Sequence, residues 1–189
     1  MVNLRKIPCR FVGGSLTMVA ALAVLPFAAA DTPATITLDV KGVEVGHKET
    51  MTNRSDFGGY ATNDDQSRAI EIKLQAIGVD QSRPVNVQIW WIGEAFGSTK
   101  LVLLHKETVT KNVSNRTPQV WQSESGAVKS HDMNLRRLRV RKQSGTRIAG
   151  WLVEADGDGI HSVMASEANI RDLAGSETLK AMEQAPEQK

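Results

Sequence analysis

The sequence predicts an all-β fold, an antiparallel β-sandwich followed by a short C-terminal helical segment. Three observations predict it. Ile70, Ile72, Leu74 and Ala76 alternate with Glu71, Lys73 and Gln75, the two-residue period of a strand with one buried face. Pro84–Ile92 repeats the pattern, with Val85, Val87, Ile89 and Trp91 on one parity and Asn86, Gln88, Trp90 and Ile92 on the other. The run Asp156-Gly157-Asp158-Gly159 separates two apolar stretches, as the turn of a hairpin does.

The chain has 189 residues, which suits one domain once an N-terminal leader is set aside. Arg5, Lys6 and Arg10 precede an apolar run from Phe11 to Phe27, and Ala28 and Ala30 supply the small residues of a cleavage site before Asp31. Residues 1–30 therefore read as a signal peptide and the protein as secreted or periplasmic. The run falls short of the roughly 20 apolar residues that span a bilayer, and Gly13, Gly14, Ser15 and Thr17 weaken it, so no transmembrane segment is expected after processing. The one cysteine, Cys9, lies in the leader, which leaves the mature chain without disulfide or thiolate chemistry. Cleavage also removes three basic and no acidic residues, so the formal net charge goes from +2 to −1. Whole-molecule attraction to nucleic acid is thereby excluded as a main function.

In order from Asp31, Ile36, Leu38 and Val40 mark a first strand with a bend at Gly42. Residues 46–67 are mostly polar and read as a long loop that hides an edge strand near Glu49–Asn53, with turns at Gly58-Gly59 and Asn63–Asp65. Ile70–Ala76 and Pro84–Ile92 follow, read as an antiparallel pair joined by a polar turn. Leu101–Leu104 is apolar on both parities, as in a strand buried on two sides or ending under a cap. Val120 and Trp121 anchor a polar stretch, and Asn134–Lys142 reads as a basic strand. Ile148–Ala155 and Ile160–Ser166 form the hairpin, with Ala155 opposite Ile160. Short helical pieces close the chain, one from Ser166 to Leu173 and one from Ser176 to Gln184, edged by Ile170, Leu173, Leu179 and Met182. Residues 31–175 thus form the sandwich domain, and 176–189 a helical or disordered tail.

The segment Ile70-Glu71-Ile72-Lys73-Leu74, Gly78 and Val85-Asn86-Val87-Gln88-Ile89-Trp90 resembles the strand–turn–strand unit of bacterial immunoglobulin-like envelope modules of the cell-adhesion-related type. Where those modules often carry an asparagine two residues before the glycine, this chain has Ala76. The resemblance covers under a fifth of the chain. It implies an immunoglobulin-like sandwich with a structural or interaction role, and carries over no functional residue.

The chemistry candidates are few. Asp156 and Asp158 fit a calcium loop only if Glu154 opens it, and its twelfth position is then Ala165 instead of the bidentate Glu such a loop needs; hairpin chemistry accounts for every residue there. His47, His105, His131 and His161 show no spacing that would set two ligands on one face. No metal site, cofactor or catalytic residue is therefore assigned. Arg137, Arg139 and Arg141 would share one face of the basic strand, either as a polyanion stripe or as charges that keep an edge from aggregating. Trp90, flanked on its parity by Asn86 and Gln88, has the make-up of a sugar-binding face, an aromatic plate beside amides, unless the C-terminal helical pieces or a loop cover it, as burial of so large an aromatic side chain favours. These features predict a non-enzymatic structural or interaction module of the cell envelope, its partner an envelope protein or a polysaccharide. The alternative is a carbohydrate-binding module or carbohydrate-active hydrolase.

Overall fold

The computed structural model describes residues 35–54, 58–78, 81–157 and 159–185, all within one compact unit. The leader, residues 1–30, lies outside them. Seven antiparallel strands account for most of the described chain: β1 Thr35–Arg54, β2 Gly59–Ile77, β3 Arg83–Ala95, β4 Leu101–Val113, β5 Gln119–Leu135, β6 Val140–Gly157 and β7 Ile160–Ala165. Two short helices follow, α1 Ala168–Arg171 and α2 Glu177–Gln184. The fold is all-β and antiparallel with a short C-terminal helical segment. No described helix is long and apolar enough to cross a membrane.

Hydrogen bonding runs in the order β1-β2-β5-β6-β3-β4, with β7 on the other side of β6. Strand β6 belongs to both ends of this path. Its first residues pair with β5, from Leu135↔Val140 to Ser130↔Gly145, and its later residues pair with β3. The sheet thereby folds back on itself into two layers. Alternation places Leu38, Ile70, Ile72 and Leu74 of one layer against Val87, Ile89, Trp91 and Val153 of the other, in one buried cluster. The parities expected for Ile70–Ala76 and Pro84–Ile92 hold, but their pairing does not. β2 is bonded to β1 and β5, and β3 to β4 and β6, so the two strands face each other across the core. Period-two alternation marks a strand's inward face and is silent on which strand lies beside it.

β3 meets a bulge in each of its two neighbours just before Gly93. On one side β4 carries Leu104 as an extra residue between the pairs Trp91↔His105 and Ile92↔Leu103. On the other, β6 carries Ala149 between Ile92↔Gly150 and Gly93↔Ile148. The two bulges meet at Ile92 and bend both neighbouring strands there, next to the crowded Gly93. A Cβ at Gly93 would lie 2.7 Å from Leu104 Cδ2 and 2.7 Å from Thr146 Cγ2, so any side chain there has to push those two aside. The Leu104 bulge also explains why Leu101–Leu104 is apolar on both parities.

Four expectations are corrected. The polar stretch 46–67 is strand almost throughout: β1 runs unbroken past Gly42 to Arg54, and Asn63–Asp65 lie within β2. The irregularity falls at Val45, between Glu44 and Gly46. Together with β5 and the start of β6, these residues form a four-stranded arm whose outermost strand is exposed on both faces, which is why no apolar alternation betrays it. The basic strand is interrupted. Arg136–Leu138 form a 3-10 turn and Arg139 sits in the left-handed region at φ 51°, so Arg137, Arg139 and Arg141 share no strand face. The hairpin pairs Gly157 with Ile160, not Ala155; a slip of two residues keeps every side chain on its expected face. Val120, expected as an anchor, is 55% exposed, while Trp121 packs against the core.

Candidate functional site

The outer face of the β3–β6 layer is covered by the C-terminal helices. Trp90 and Ile92 of β3 and Leu152 of β6 point away from the first core and meet Ile170, Leu173, Leu179 and Met182 in a second. Local chemistry sets α2 in place. Ser176 caps it by accepting the Leu179 N–H at 3.2 Å, satisfying a donor that the first turn leaves unpaired. Leu179 and Met182, three apart, present one apolar edge to the sheet. The segment expected as a tail is therefore part of the folded unit, helical to Gln184 and docked.

This cover decides the fate of the proposed sugar face. Trp90 is 3% exposed, so it cannot serve as a stacking plate. Its indole N–H donates to Glu183 Oε1 of α2. Lys106 Nζ donates to the same oxygen at 2.8 Å and stands 5.3 Å from the centre of the Trp90 ring. Asn86 is exposed and Gln88 half-buried beside this cover, two amides without their aromatic partner. The outward parity was correct; the residue above it decides accessibility.

The Trp90–Lys106–Glu183 group latches α2 to β3 and β4. Lys106 chiefly, with help from the Trp90 N–H, holds the Glu183 carboxyl below its ordinary value, against the opposing effect of burial. Glu154, on the neighbouring strand, is pushed the other way. Burial is the main cause, the charges of Glu183 and Asp156 add to it, and His161 and Lys106 oppose it. The signs for stability follow. A depressed carboxyl contributes stability that is full above its unfolded value and is lost as pH falls through its folded value. Acidification below the reference value of 4.5 should thus loosen α2. Glu154 acts at higher pH and in the opposite sense, since its protonation relieves a burial penalty. An acid titration followed by thermal melts should show stability falling below pH 4.5, and Glu183→Gln should remove that fall. An unchanged acid limb in Glu183→Gln would show that the latch carries no stability.

Beyond the latch, a groove of about 720 Å³ opens between β4 and α2, lined on the strand side by Leu101, Val102 and Leu103 and on the helix side by Thr178, Ala181 and Met182. β4 pairs with β3 alone, so its other edge offers backbone N–H and C=O groups to whatever enters. The toe of β4 is shielded: Lys111 stands 5.1 Å from the Trp121 ring of β5, and Ser123 of β5 donates to Glu107. The open length is Leu101–Lys106. Sequence reasoning missed this site. Its one signal was an apolar run on both parities of a strand.

The arginine candidates lie elsewhere, at the far end of the arm, where Arg141 pairs with Asp132 at 3.2 Å. Among the described residues no three His, Cys, Asp or Glu side chains are grouped to hold a metal ion. No family model and no curated protein matches the chain. A crystal structure of a protein from Akkermansia muciniphila is similar at 10% sequence identity and a TM-score of 0.34, over 75% of this chain and 78% of that one.

Proposed function

We propose that the protein is an exported, non-enzymatic interaction module of the cell envelope, an immunoglobulin-like sandwich that takes an extended segment of a partner polypeptide along Leu101–Lys106. The observation that supports this reading is the apolar groove beside the open edge of β4. An extended chain is the occupant that can use both parts of it. Its backbone continues the sheet, and alternate side chains turn toward the α2 wall. The charges add a preference. Glu183 is the one acid lining the groove and is neutralised by Lys106, which leaves Lys100, just before the strand, and favours an occupant that brings a carboxylate. The leader, with its basic start and Ala28 and Ala30, supports export.

The test is peptide selection on the folded mature protein with a random displayed library. Selected peptides should alternate apolar residues and carry an acid. Ala181→Arg, an exposed change on the groove wall, should weaken them at least tenfold while the melting temperature stays put. Peptides that bind Ala181→Arg as well as the parent would retire the groove. Retention on a glycan panel with no peptide binding would favour the carbohydrate-binding alternative.

A further inference from the structure

The far end of the arm combines charge and exposed apolar surface in a way the groove does not use. β5 and β6 are joined there by the 3-10 turn Arg136–Leu138 and the left-handed Arg139. Beside that turn the β1–β2 hairpin closes, Arg54 opposite Gly59 and Gly59 opposite Leu135. This end stands eight residue steps beyond Ser67↔Ala127, roughly 26 Å at the rise of an extended strand. Within Leu135–Lys142 there are five cations, Arg136, Arg137, Arg139, Arg141 and Lys142, and no acid. All five are exposed. Arg141 pairs with Asp132. Amid these charges Leu138 is 56% exposed and Val140 42%.

We propose that this end of the arm docks on an anionic lipid surface, the cations meeting phosphate head groups while Leu138 and Val140 enter the boundary below them. Each half of the feature has a use there. Basic side chains near an anionic leaflet are attracted additively, and apolar side chains gain by leaving water at the head-group level. A soluble polyanion would reward the arginines and leave Leu138 in water, so the apolar pair favours the membrane. The left-handed Arg139 matters to the geometry, because it reverses the chain within four residues and leaves Leu138 on the outside of the turn. With the leader removed the formal net charge is −1, so the rest of the molecule is acidic and orients this end toward an anionic surface.

The experiment uses the full mature chain and sedimented vesicles, one set of phosphatidylcholine alone and one of phosphatidylcholine mixed with phosphatidylglycerol. Binding should appear only with the anionic vesicles and fall as salt is raised. Neutralising two free-facing cations, Arg136→Gln with Arg139→Asn (asparagine tolerates the left-handed region), should weaken it roughly tenfold or more. Leu138→Ser should weaken it several-fold with no change in heparin retention. Binding equal on both vesicle sets, or none on either, overturns the proposal. Heparin retention without vesicle binding, or Leu138→Ser vesicle binding at the parent level, would make the cluster a polyanion patch instead. An unchanged melting temperature in each variant separates these outcomes from misfolding.

Discussion

Trp91→Ala should leave much of the protein unfolded at room temperature. Trp91 is 1% exposed and sits between the layers with Val87, Ile89 and Val153 on its own side and Ile70 and Ile72 opposite. Replacing so large a buried side chain by Ala costs about 3–5 kcal/mol in transfer and cavity terms, comparable with the whole stability of an ordinary domain. The indole N–H has no hydrogen-bond partner, so Trp91→Phe sacrifices volume and little else. Denaturant melts should place the Phe variant near the parent and the Ala variant far below it. Equal, small losses in both would mean that the layers repack around the site, and that Trp91 does not hold them together.

Truncation before Ser176 should be the next most damaging change, and of a different kind. It removes Leu179 and Met182 from above Trp90, Ile92 and Leu152 while leaving the core between the layers whole. Two buried side chains at roughly 1.5–3 kcal/mol each put the loss on the order of 3–6 kcal/mol. The exposed strip should redden the tryptophan emission and promote association of the shortened protein. Trp90→Ala in the full chain should destabilise as well, through the lost packing and the lost bond to Glu183. A truncated protein with the parent's emission and monomeric mass would contradict the docked position of α2.

Particular residues show how far the sequence could be read. Where one face of a strand is apolar and the other polar, as at Ile70–Ala76, the buried set is legible to the residue. Partnership is not, because β2 and β3 carry the same alternation whether they lie side by side or face to face. Of the arm, the edge strand near Glu49–Asn53 was read and lies in β1, but Asn63–Asp65 left no signal, since they are polar on both parities and their strand is fixed by backbone pairing to β1 and β5. Of the site, the outward parity of Trp90 was readable, and so was its cover by the C-terminal helical pieces, the alternative to a sugar face that burial bears out. Ile92 shares that parity, and two large apolar side chains on one outer face ask for something above them. Leu179 and Met182 supply the apolar edge that answers them. The arginines were misjudged for a simpler reason. A left-handed residue at Arg139 is unusual for a side chain of that type, and nothing in Arg136–Lys142 announces it.

The double role of β6 also governs when this chain can fold. β3 is central in its layer, yet one of its neighbours, β4, comes directly after it, while the other arrives only with Thr146–Asp156. β2 likewise waits for β5. Two of the six strand pairings, β2–β5 and β3–β6, thus skip over intervening strands, and each needs a long loop closed before it is rewarded, which slows folding. Until β6 is present, Val85–Ile92 offers an apolar strand with an open edge. Until α2 follows, its outer face stays bare. A chain stalled short of Gly157 would hold the ingredients of self-association without those of the native state, so refolding yield should fall with protein concentration, and α2, made after all seven strands, ends the hazard.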